Sequence, residues 1–101
     1  MNVENLLNEA KIKFNHNLSK HYLKEKYLGQ LIFADQGGLW KADLQLISFL
    51  AVVKTKNIII IDEYEKPVLV DRDKLLDNAL KKYNDIMTKY HQEYLEQMNQ
   101  R

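Results

Sequence analysis

The chain has 101 residues, 46% of them apolar and 29% charged, with three Gly, one Pro and no Cys. That length holds one small domain and excludes two independent cores or a large multi-part catalytic apparatus. Fifteen Lys+Arg against 14 Asp+Glu leave a net charge of +1, which argues against the nucleic-acid backbone or an anionic membrane as the main partner.

The absence of Cys excludes disulfide staples, thiolate zinc sites, iron–sulfur clusters and cysteine nucleophiles together. The longest apolar run, Leu46 to Val53, has eight residues including Ser48, far below the roughly 18 that span a bilayer. Met1 to Asn5 lacks a basic start leading into a long apolar stretch, so no secretory signal is expected and the setting is read as cytoplasmic. Charge is unevenly spread, with +2 over residues 1–28, −2 over 29–71 and +1 over 72–101.

The first segment, residues 1–27, is predicted helical. Asn2 is its N-cap, Glu4 lies in the first turn, and Val3, Leu6, Leu7, Ala10 and Phe14 recur at spacings of three and four. Helix propensity drops around Asn15, His16 and Asn17, and one helix with a weak middle is favoured over two short ones. The next segment, residues 28–71, is predicted to hold strand hairpins. Gln30 to Ala34 and Leu39 to Ala42 flank Asp35-Gln36-Gly37-Gly38, whose glycines supply the positive φ of a hairpin turn.

Residues 43–56 fit a short buried helix better than a strand. Leu44, Ile47, Leu50 and Ala51 share a face, Asp43 serves as its cap, and Lys54 and Lys56 suit its C-terminal end. A strand here would have both faces apolar. Ile58 to Ile61 is an unbroken β-branched run, read as a central strand covered on both faces. The turn at Glu63 to Pro67 returns the chain through Val68 to Val70, with Pro67 at the first position of that strand or on an edge.

Residues 72–100 are predicted to form a long amphipathic helix capped by Asp71 or Asp73. Its stripe runs through Leu75, Leu76, Ala79, Leu80, Tyr83, Ile86, Met87, Tyr90, Tyr94, Leu95 and Met98. At 1.5 Å per residue such a helix is about 40 Å long, whereas a compact chain of this length is about 34 Å across. The stripe must therefore pack on the N-terminal helix, on another subunit, or stay exposed. The fold class that follows is α+β, a small strongly bent antiparallel sheet between an N-terminal helix and a long C-terminal helix; a partial barrel is what the family resemblance given below implies.

No constellation for chemistry stands out, and no catalytic residue, metal or cofactor is assigned. His16 and His21 lie about 140° apart on a helix, off the geometry of a two-histidine ligand pair. Asp62, Glu63 and Glu65 form an acidic turn, read as solvated rather than as a calcium or magnesium loop. Ser19 and Ser48 have no nucleophile motif around them, and Asp35 to Gly38 lacks both phosphate-loop patterns.

Two surfaces are candidates for binding. Tyr83, Ile86, Met87, Tyr90 and Tyr94 suit an interface between copies of the chain, since tyrosine serves where an apolar face meets a partly dry one; packing within the chain is the alternative. Lys20, Lys24 and Lys26, with Tyr22 and Tyr27 interleaved, are the candidates for single-stranded nucleic acid.

The stretch Gly38-Leu39-Trp40-Lys41-Ala42, then Leu46-Ile47-Ser48-Phe49-Leu50, and later Asp62 with Pro67-Val68-Leu69-Val70-Asp71-Arg72, resembles small Sm-like proteins of marine T4-type phages. The resemblance spans about residues 28–76. It implies a five-stranded barrel that closes into a ring by edge-strand pairing and, in many members, single-stranded RNA in the pore. Asp35 has no Asn at the spacing of the family's Asp-x-x-x-Asn loop, and Arg72 is followed by Asp73 where the RNA-contact loop has Gly. Ring assembly is thus better supported than RNA binding. The functional expectation is a non-enzymatic homo-oligomeric structural or interaction module, with a single-stranded nucleic-acid binder as the alternative.

Overall fold

The computed structural model describes residues 19–99. Helix α1 occupies residues 19–28. The Asn2 cap, the stripe from Val3 to Phe14 and the weak point at Asn15 to Asn17 lie outside the described residues. α1 tightens into a 3-10 turn at Gly29–Leu31, so the first strand starts later than the apolar pattern predicts. Leu31 is buried, and its carbonyl accepts the Ala42 N–H at 2.9 Å, closing the base of the first hairpin.

That hairpin pairs β1 (Ile32–Asp35) with β2 (Gly38–Lys41), in register from Ile32↔Lys41 to Asp35↔Gly38. Gln36 and Gly37 carry the positive φ values, 51° and 80°, as a two-residue primed turn requires. Gly38 has a different duty from the one its sequence suggests. A Cβ there would lie 2.5 Å from the Trp40 ring, so the missing side chain is what lets the indole fold across the strand.

Residues Leu44–Val52 form helix α2, which settles the helix-or-strand alternative. The Asp43 carboxylate accepts the Leu46 N–H at 2.9 Å, the bond of an N-cap. Its C-terminal end is held by Arg72 rather than by Lys54 or Lys56. Arg72 Nε donates to the Leu50 carbonyl at 2.7 Å and Nη2 to that of Ala51 at 3.1 Å, placing a cation on carbonyls that have no partner inside the helix.

The second hairpin pairs β3 (Asn57–Ile61) with β4 (Pro67–Asp71), from Asn57↔Asp71 to Ile61↔Pro67. Pro67 takes the first strand position, where its missing donor costs the ladder nothing. Helix α3 runs over Arg72–Asn99. Asp71 is its cap, with Oδ1 accepting from the N–H groups of Asp73 at 3.0 Å and Lys74 at 3.2 Å. With 28 residues α3 is about 42 Å long.

The protein is thus α+β, with an N-terminal helix and a long C-terminal one. Its four described strands make two separate two-stranded sheets rather than one bent sheet. Side chains and loop atoms stand where a connecting ladder would run. Leu39 donates its N–H to Asp62 Oδ2 at 3.0 Å while its carbonyl accepts from Glu63 at 2.9 Å. Gln36 Oε1 accepts the Asp71 N–H at 2.7 Å, and its Nε2 reaches the Asp71 carbonyl at 3.3 Å. With 44–52 helical, the five strands of a Sm-like barrel are not found among the described residues, and the likeness reduces to the α+β order of elements.

Two apolar clusters form the core. Leu23, Tyr27, Leu31, Ala42, Ala79 and Ile86 lie between α1 and α3. Trp40, Leu50, Val70 and Leu75 lie between the hairpins and the start of α3. Phe33 and Leu46 touch both clusters and join them. No described helix is long and apolar enough to cross a membrane.

Candidate interaction surface

The tyrosine stripe of α3 is largely occupied by the chain's own first helix. Tyr27 stacks on Tyr90 with ring centroids 5.4 Å apart and planes 6° from parallel. One step along, Lys26 Nζ meets Glu93 Oε1 at 2.9 Å. A rising number in α1 thus faces a falling number in α3, so the two helices run antiparallel. Ile86 is 2% exposed and sits in the core cluster with Leu23 and Tyr27 of α1. Tyr83, Met87, Tyr90 and Tyr94 pack half-buried around the same cluster, and Met87, Tyr90 and Tyr94 line a shallow groove with His91. Toward the end of α3, Leu95 and Met98 stay exposed.

The three lysines do not form one patch. Lys20 and Lys24 are four apart on a helix and share a face, whereas Lys26 lies about 200° round from Lys24. Lys26 is committed elsewhere, with its ammonium on Glu93 and 5.1 Å from the centroid of the Tyr27 ring. The hydrogen bond to the Glu93 carboxylate holds the Lys26 ammonium above its ordinary range. Arg72 spends its guanidinium on α2 and on Asp73.

The acidic turn is organised rather than merely solvated. Asp62 is 6% exposed, and its two oxygens accept three backbone N–H groups, those of Leu39 and Tyr64 at 3.0 Å and Lys66 at 3.1 Å. Burial pushes its carboxyl up, but the three donors outweigh that and hold it below the usual carboxylate range. Glu63 and Glu65 remain exposed. Sequence reasoning missed this role of Asp62; the signal available was an Asp directly after a strand, where its side chain can close an Asx turn.

The largest departure from expectation lies on β3. Its four isoleucines read as a strand covered on both faces, yet the described residues cover only one. Ile58 and Ile60 pack against the Trp40 cluster. Ile59 and Ile61 are each 69% exposed, and Leu69, the cross-strand partner of Ile59, is 66% exposed. On α2, Leu44, Phe49 and Val52 are also exposed, Leu44 on the side of Leu28 and Met87. A groove lined by Phe49, Ile60 and Ile61 joins the helix to the hairpin. Seven of the twelve large exposed apolar side chains among the described residues fall between Leu44 and Leu69. On the outer face of β3–β4 the exposed apolar side chains are neighbours, Ile59 opposite Leu69 with Ile61 two residues along the strand, rather than scattered singly.

No protein-family model, curated protein or solved structure matches the chain.

Proposed function

We propose that this chain is a non-enzymatic, self-associating interaction module whose copies meet through the outer face of the β3–β4 hairpin and the adjoining side of α2. The observation that carries the proposal is the exposed row Ile59, Ile61 and Leu69 on a sheet of only two strands. A two-stranded sheet is marginal alone and needs a layer on its apolar face. Among the described residues that layer is supplied on one side only. Burying one such side chain contributes about 1.5–3 kcal/mol, so leaving several in water is a large forfeited stabilisation.

Light scattering at micromolar concentration tests this reading. The expected mass exceeds the 12.0 kDa of one chain and falls to it in Ile59→Glu, whose far-UV circular dichroism stays that of the wild type. Tyr94→Glu, on the surface already covered by α1, leaves assembly in place. A strictly monomeric wild-type protein overturns the proposal.

A further inference from the structure

Resting on the self-association just proposed, we infer that the partner of the β3–β4 face is the same face of a second copy, laid antiparallel about a two-fold axis. The hairpin has a charge at each end and almost none between. At its open end lie the exposed Lys54 and Lys56, and with Asp71, Arg72 and Asp73 that end carries a net charge of +1. At its turn lie the exposed Glu63 and Glu65, and with Asp62 and Lys66 that end carries −2. The intervening outward positions Ile59, Ile61, Pro67 and Leu69 are uncharged and exposed. Four strand steps at about 3.4 Å separate Asn57 from Ile61, some 14 Å. That exceeds the Debye length of about 8 Å at physiological salt, so the two ends do not compensate each other within one chain.

Two such faces can pack about 10 Å apart with interleaved side chains, as stacked sheets do. A two-fold axis that brings face to face must lie between the sheets. If it runs along the strands, lysines meet lysines and glutamates meet glutamates. If it runs across the strands, the lysine end of each copy meets the glutamate end of the other. Only the second arrangement pairs opposite charges, and it does so twice because the contact is isologous. The axis then crosses the middle of the hairpin at the Ile59–Leu69 pair, so that Ile59 meets Ile59 and Leu69 meets Leu69 across the interface. The apolar row drives association, and the end charges choose the direction.

The test uses two charge-reversed forms of the whole chain, one carrying Lys54→Glu with Lys56→Glu, the other Glu63→Lys with Glu65→Lys. Light scattering of each alone, and of the equimolar mixture at low salt, reads the result, with Ile59→Glu as the control for the face itself. Each form alone is expected to associate at least tenfold more weakly than the wild type, and the mixture to regain association as mixed pairs. If both forms alone associate as tightly as the wild type while Ile59→Glu is monomeric, the antiparallel pairing is overturned and the face remains the contact. A mixture no tighter than its components overturns it equally. If Ile59→Glu itself still associates, the reading of the face fails, and this one with it.

Discussion

The two hairpins of this protein share a local design and differ in what surrounds them. β1–β2 and β3–β4 are both short antiparallel pairs in simple register. In the first, the large side chain Trp40 is buried, its Nε1 donates to the Asp35 carbonyl at 2.9 Å, and Gly38 opposite Asp35 clears space for the ring. Its turn is tied to the rest of the fold, since Asp35 Oδ2 accepts from Asn78 at 3.1 Å and Gln36 from Asp71. The second presents an apolar row to solvent. Strand formation follows from local pattern, whereas burial depends on how many layers the chain can supply. In β3 the described residues place a layer on the Ile58 and Ile60 face and leave Ile59 and Ile61 exposed.

The largest effect on this contrast comes from removing what anchors the first hairpin. Trp40→Ala is expected to cost about 3–5 kcal/mol, the range for a buried large aromatic, and to lower the thermal midpoint more than any other single change considered. Gly38→Ala places a methyl against the same ring and is expected to cost about 1–3 kcal/mol by overpacking; urea melts compare the two. Neither change touches the outer face of β3–β4.

A third change probes the join between the hairpins. The Asp62 carboxyl is held below its unfolded range, so its contribution is present in full above about pH 4 and is lost as pH falls through the lowered folded value. Asp62→Asn removes this titration and one or more of its acceptor contacts. The gap in melting temperature between wild type and Asp62→Asn is expected to be widest near neutrality and to close in acid. A gap that widens on acidification would contradict the assignment. The smallest effect is expected from Arg72→Met, which strips the cation from the C-terminal carbonyls of α2 for about 0.3–1 kcal/mol, again read by urea melting.

Much of this architecture is legible in the sequence because it rests on local rules. Asp43 and Asp71 cap their helices, Pro67 opens its strand, and the three-and-four spacing from Leu75 to Met98 marks α3. What sequence reasoning misplaced depends on contacts between distant residues. Lys54 and Lys56 were the nearest cations to the end of α2, yet Arg72 reaches it across 22 residues. The tyrosine stripe has the composition of a subunit interface, but Tyr27 meets it from within the chain at a separation of 63 residues. For the isoleucine run, pattern alone reports that both faces are apolar, not whether this chain covers both.

The central claim is that Ile59, Ile61 and Leu69 are covered by another copy in solution. Methyl NMR with a soluble paramagnetic probe tests it most directly, because each isoleucine of β3 reports its own face. At concentrations where the protein is associated, the Ile59 and Ile61 methyls are expected to be shielded like those of Ile58 and Ile60, and dilution to expose the first pair alone. Ile59 and Ile61 methyls that stay fully accessible at every concentration would contradict it.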